Sequence, residues 1–195
     1  MMSKTHLCVG ALCALAIAPN NPVACTAAIA MGALGGVAPD VDIVSLKSKN
    51  DVLVCQLTGL IAAACLLYAS YLFDFGIGLN PNEEEVWMGA AGFVFLYLIG
   101  AWTNHRSFTH SILALFLFTV CVNLISPSLA VYFAIGYLSH LLLDLLNRRG
   151  IQLFFPLDSR VCLHMCYAKG AANRFLLSVS LIALPILFAA KVLVW

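Results

Sequence analysis

Seven side chains in this sequence are of the kinds that bind divalent cations, and they fall into short groups. They are His6, then Asp40 and Asp42 around Val41, then His105 and His110 flanking Arg106-Ser107-Phe108-Thr109, then His140 with Asp144. Neutral imidazole and carboxylate are donors that suit zinc, with manganese or iron as alternatives. His140 and Asp144 stand four residues apart and so share one face of a helix. Pro39 disfavours the α region at Ala38 and is expected to end a helix there. In an extended Asp40-Val41-Asp42 the two carboxylates would point the same way. His105 and His110 suit a turn entering a helix, with Ser107 or Thr109 as its cap. Gly136, one turn before His140, leaves room for a neighbouring helix or a ligand.

The elements that hold these groups follow from composition. Of 195 residues, 63% are hydrophobic and 10% charged, and the mean hydropathy is +0.98. Soluble domains carry about 25% charge, so lipid must be the outer solvent. The net charge of +1, with no basic stripe, gives no reason to expect a nucleic-acid partner. Most of the eight cysteines lie in apolar runs, where cysteine behaves as a small hydrophobe. Cys162-Leu163-His164-Met165-Cys166 lacks the further ligands that a zinc knot needs. The apolar run after Lys4 resembles a signal peptide, but another apolar run follows it at once, so it reads as a retained helix.

A spanning helix needs about 20 apolar residues. The candidates are Val52–Phe73, Val86–Trp102, Thr109–Ile125, Leu129–Leu146 and Phe175–Trp195. Thr5–Ala18 and Val23–Val37 are shorter, and are expected as thin spans or a re-entrant hairpin joined at Asn20-Asn21-Pro22. The fold class is thus all-α: a polytopic membrane bundle of about seven short helices in one domain, residues 1–195. With the N-terminus inside and the helices alternating, Lys4, Lys47, Lys49, Arg106, Arg148, Arg149, Arg160, Lys169 and Arg174 all fall on the cytoplasmic side. Of the ten Lys and Arg residues only Lys191 does not.

That alternation, set by Lys and Arg alone, brings all seven His and Asp residues to the cytoplasmic face. Ionisable groups in hydrocarbon cost about 2.5–3.5 kcal/mol each at mid-helix and mark function. For a single residue, an inward-facing hydrogen bond is the plainer reading, and it is preferred for the isolated His164. For seven residues at one face, roughly one to three shared divalent cations are the better account. Asp42 or Asp144 would act as base or orient water, and Arg106 would hold a phosphate oxygen or serve as a positive-inside anchor. Arg148, Arg149 and Arg160 are expected at anionic headgroups, with the short segment Ile151–Leu157 in the interface.

The sequence resembles the YdjM-like inner-membrane proteins, a family of metal-dependent hydrolases, over most of its length. The likeness rests on Thr5-His6, Pro39-Asp40-Val41-Asp42, His105-Arg106-Ser107-Phe108-Thr109-His110-Ser111, Gly136-Tyr137-Leu138-Ser139-His140 with Asp144, and Phe155-Pro156-Leu157. It implies His6, Asp40, Asp42, His105, His110, His140 and Asp144 as metal ligands. The family is distantly similar to zinc-dependent phospholipase C and P1-type nucleases, which points to phosphoester hydrolysis. The expected protein is a multi-pass hydrolase of the bacterial cytoplasmic membrane, acting on a lipid or lipid-linked substrate at the inner leaflet. A metal or proton transporter and a non-catalytic scaffold are the alternatives. No H-E-x-x-H motif occurs, which disfavours a zinc protease.

Overall fold

A computed structural model describes residues 1–43, 46–73, 78–168 and 170–194, with the backbone alone at 46–49, 66, 67 and 69–73. Lys169, Trp195 and the side chains of Lys47 and Lys49, which enter the sorting of cations or the last expected span, lie outside the described residues. Among the described residues there are seven α-helices and no strands. They are α1 (Ser3–Ile17), α2 (Pro22–Val37), α3 (Leu46–Phe73), α4 (Glu83–Trp102), α5 (Ile112–Ile125), α6 (Pro127–Leu145) and α7 (Ala171–Leu193). Short 3-10 helices at Ala38–Asp42 and Phe108–His110 follow α2 and precede α5.

Local chemistry sets the helix starts. Asn21 accepts from the backbone N–H groups of Val23 and Ala24, and Pro22 follows at the first helical position. Asn82 caps α4 through Glu84 N–H, with Glu83, Glu84 and Glu85 in the first turn where the helix dipole favours them. The cap of α5 is Ser111, whose Oγ accepts from Ala114 N–H at 3.1 Å. It is neither Ser107 nor Thr109, because the chain first makes a 3-10 turn through His110.

Among the described residues four segments are long and apolar enough to cross a membrane: Pro22–Asp42, Glu83–Trp102, Pro127–Leu145 and Ala171–Leu193. Ser3–Ile17, Asn50–Cys65 and Ile112–Ile125 are apolar but shorter, so the spans expected at Val52–Phe73 and Thr109–Ile125 are not among the four. Pro22–Asp42 reaches that length because the 3-10 turn continues α2. α2 is also the buried centre of the bundle, while α4 and α7 are largely exposed along their length. Between helices in lipid, close packing of small residues replaces the hydrophobic effect. A Cβ at Gly136 of α6 would strike the Gly32 carbonyl of α2, and one at Gly36 of α2 would strike the His6 carbonyl of α1. On the other flank Phe93, Phe118, Phe133 and Tyr137 fill the core with tilted and edge-on rings. Lys191, the cation that does not sort inside, donates to the Ala18 carbonyl at 2.5 Å and so caps the end of α1.

The connection between α6 and α7 is non-helical. Single bridges pair Asn147 with Cys166 and Ile151 with Val161, and backbone hydrogen bonds tie it to the α6 C-terminus and to the Arg106 carbonyl. One end of the bundle thereby gathers the start of α1, the end of α2, both 3-10 turns, the end of α6 and the start of α7.

Candidate metal centre

Asp40 and Asp42 stand in a 3-10 helix, not in extended chain. Ala38 remains in the α region despite Pro39 (φ −56°, ψ −40°). Proline removes an N–H from the α ladder, and the chain tightens into a 3-10 turn instead of leaving the helix. At three residues per turn, side chains two apart point in different directions, and the two carboxylates accordingly meet different partners.

Asp42 is fully buried and faces a ring of donors. One oxygen lies 2.7 Å from His105 Nδ1. The other accepts from Arg106 N–H at 2.9 Å and Thr109 Oγ1 at 2.8 Å, and lies 3.2 Å from His110 Nδ1. Asp40 takes Ser3 Oγ on one oxygen at 2.6 Å. Its other oxygen is turned toward two imidazoles, 3.7 Å from His140 Nε2 and 4.0 Å from His110 Nε2.

The histidines are aimed by what holds their outer nitrogens. Nδ1 of His140 lies 2.8 Å from the Gly36 carbonyl, which can only accept, so Nδ1 carries the proton and Nε2 presents its lone pair. Nδ1 of His110 is held by Asp42 in the same way, and its Nε2 faces His140 Nε2 at 3.2 Å. His6 stacks on His140, ring centroids 3.8 Å apart. It is fully buried and neither of its ring nitrogens has a hydrogen-bond partner, although an Asp144 oxygen lies 3.4 Å from Nε2.

Asp144 and Arg106 close the site. Arg106 Nη2 pairs with Asp144 at 2.9 Å, and the Met1 amino group also contacts that carboxylate. The remaining guanidinium nitrogens are engaged too: Nη1 by the Arg149 carbonyl and Nε by His105 Nε2 at 3.4 Å. Arg106 adopts a left-handed backbone (φ 68°), which costs a non-glycine residue about 1–2 kcal/mol. That conformation lets one residue bind Asp42 through its N–H and Asp144 through its side chain.

All seven residues singled out in the sequence come together. They form three overlapping donor groups, each with atoms within 4.8 Å of one another: His6, His140 and Asp144; Asp40, His110 and His140; Asp42, His105 and His110. Six are buried and His105 is exposed. Apart from the Arg106–Asp144 pair and the Met1 amino group, lone pairs and carboxylates face one another at the centre. The unpartnered His6 nitrogens and this donor chemistry fit a divalent cation. Cys162, His164 and Cys166 belong to none of the donor groups, and Cys162 Sγ merely touches His164 Nδ1 at 3.3 Å.

Several residues outside the seven donors support the site. Asn173 at the start of α7 accepts from Thr5 Oγ1 at 2.9 Å and from Met2 N–H at 3.0 Å, fixing the turn of α1 that bears His6. Tyr137 OH donates to the Thr109 carbonyl at 2.5 Å. Ser3 precedes His6 by one helical turn, a spacing that does mark it as a neighbour of the same face.

The comparisons with known proteins complete this picture. The YdjM inner membrane protein family matches residues 1–195, the whole chain. Searches among characterised proteins and solved structures found no match. With a full-length family match and an apolar helical bundle around a buried His and Asp cluster, the chain belongs to the YdjM inner membrane protein family.

Proposed function

We propose that this chain is a multi-pass, metal-dependent hydrolase of the cytoplasmic membrane, cleaving a phosphoester or related bond in a lipid or lipid-linked substrate. The observation that carries the reading is the orientation of the imidazoles. His110 and His140 are each held at Nδ1 and turn Nε2 inward, beside a fully buried His6 with no hydrogen bond of its own. The residues that would hold the cation are His6, Asp40, His110, His140 and Asp144, and zinc suits them best. A bound divalent cation supplies Lewis acidity and a water acidic enough to ionise near neutral pH.

The chain's own residues do the rest. Asp42, with both oxygens occupied by donors, orients His105 and His110. Arg106 balances Asp144 and locks it in place, which is a positioning role. Only His105 of the seven is exposed, so water and substrate approach from its side. The sorting of Lys and Arg supports a cytoplasmic position for that side.

The test uses the whole chain, purified with zinc or manganese and offered mixed phospholipids or a soluble phosphodiester. Product should form, and should be lost in folded Asp40→Asn and His110→Ala variants. Metal flux into sealed proteoliposomes with every substrate intact would instead make it a transporter. Labelling of Ser159→Cys from outside intact cells, in a background free of other cysteines, would refute the cytoplasmic placement.

A further inference from the structure

The connection from α6 to α7 presents a surface that none of the described residues of the bundle covers. Phe154, Leu157, Leu163, Met165 and Tyr167 are each at least 50% exposed, yet none belongs to a helix. The three arginines of the same stretch, Arg148, Arg149 and Arg160, are exposed beside them, against one acidic residue, Asp158. Arg148 is braced over the Tyr167 ring at 4.3 Å. Exposed apolar groups interleaved with cations are unfavourable in water and have a natural place where acyl chains meet headgroups.

Geometry puts the segment at that level. α6 has 19 residues and so spans about 28 Å, close to the hydrocarbon thickness of a bilayer. The chain leaves α6 at Leu145 and enters α7 at Ala171, both ends of membrane-length helices. Trp102, 91% exposed, ends α4 at the same end of the bundle, where an interfacial indole is expected.

We propose that residues 148–167 form an interfacial seat for anionic phospholipid headgroups. Phe154, Leu157, Leu163 and Met165 enter the acyl boundary, and the three arginines meet the phosphates. The seat is wired to the metal centre at one residue. Gln152 N–H donates to the Arg106 carbonyl at 3.0 Å, and the Arg106 guanidinium donates to the Arg149 carbonyl. Lipid that orders this segment therefore orders Arg106, and with it Asp42 and Asp144.

Two measurements on the full chain in lipid nanodiscs test this. The first uses Leu157→Trp with Trp87, Trp102 and Trp195 changed to Phe. Its emission should be quenched by lipids brominated near the top of the acyl chain and spared by aqueous iodide. The second compares phosphatidylcholine discs with discs that also contain phosphatidylglycerol. The anionic lipid should raise the thermal midpoint of the wild type and of an Arg148→Lys, Arg149→Lys, Arg160→Lys variant. That gain should be lost when the same three residues become Gln. Inorganic phosphate added to phosphatidylcholine discs should not reproduce it. Iodide quenching without bromolipid quenching, no response of the wild type to anionic lipid, or an equal response in the Gln variant would each overturn the proposal.

Discussion

Nε2 of His110 and Nε2 of His140 face each other at 3.2 Å, and each ring has its other nitrogen committed, one to Asp42 and one to the Gly36 carbonyl. Two lone pairs at that distance repel unless a proton or a metal cation lies between them. With Asp40 and Asp144 close by, the same holds for negative charge. The helices that carry these groups, α2, α6 and the turn before α5, are therefore held together more firmly when the donors share a cation.

The first prediction follows directly. Strong chelation should lower the thermal midpoint of the purified protein, and zinc should restore it. The His140→Ala, Asp144→Ala double variant should purify with little metal and show no response to chelator. His164→Ala, whose imidazole lies outside the donor groups, should keep the wild-type metal content. Elemental analysis that finds no divalent metal in the wild type, together with a melting curve indifferent to chelator, would leave a purely structural polar core.

The two aspartates of one short turn should behave differently. Asp42 accepts from Arg106 N–H and Thr109 Oγ1 and faces Nδ1 of both His105 and His110, whereas Asp40 has one donor and one oxygen turned to the centre. Asp42→Asn sets an NH2 group against donors and removes a buried negative charge. It should cost about 3 kcal/mol of stability and weaken metal binding about 10- to 100-fold through the misaligned histidines. Asp40→Asn should cost less stability and more metal. Titration of zinc into each variant beside its melting curve separates the two outcomes, and equal profiles would contradict the division of roles.

The seven donors were legible because each sits in a short motif and because Lys and Arg alone set the alternation of helices. The division of labour between Asp40 and Asp42 was not. It depends on a 3-10 turn that a Pro-Asp-x-Asp string does not announce, since an extended chain would have pointed both carboxylates the same way. Asn173 was illegible for another reason. It meets Thr5 across 168 residues of sequence, at a helix start whose Asn-Arg pair carries no motif. Lys191 stays the exception to the charge rule, and only the structure shows what holds it at the far end, the Ala18 carbonyl. The engagement of all three Arg106 guanidinium nitrogens also needed coordinates, because it rests on the Arg149 carbonyl and on Asp144 at once.

Close backbone contact between α2 and α6 gives a third prediction. A methyl group at Gly136 would meet the Gly32 carbonyl, which belongs to backbone and cannot swing aside. Gly136→Ala should therefore lower stability by about 2 kcal/mol or more. It should also weaken metal binding, because α2 displaced at Gly32 carries the Gly36 carbonyl away from His140. Gly78→Ala, where an added Cβ meets nothing within 4 Å, serves as the control. A wild-type melting curve for Gly136→Ala would show that the helices have slack that the packing does not suggest.

The last prediction separates the two ends of α7. That helix is largely exposed, and polar contacts fasten it to α1 at each end: Asn173 to Thr5 and Met2 near the metal centre, and Lys191 to Ala18 at the far end. Loss of either contact should loosen α7 by about 1–2 kcal/mol. One hydrogen bond is usually worth about 1 kcal/mol net, Asn173 accepts two, and the Lys191 bond is charge-assisted. Only the first should be felt at His6, which follows Thr5 directly and has no hydrogen bond of its own to hold its ring. Asn173→Ala should thus weaken zinc binding several-fold, whereas Lys191→Met should leave zinc affinity unchanged at a similar cost in stability. The decisive quantity is the ratio of zinc affinities at matched stability. Equal affinities in the two variants would mean that the first turn of α1 is held by the bundle itself, and that Asn173 merely anchors a peripheral helix.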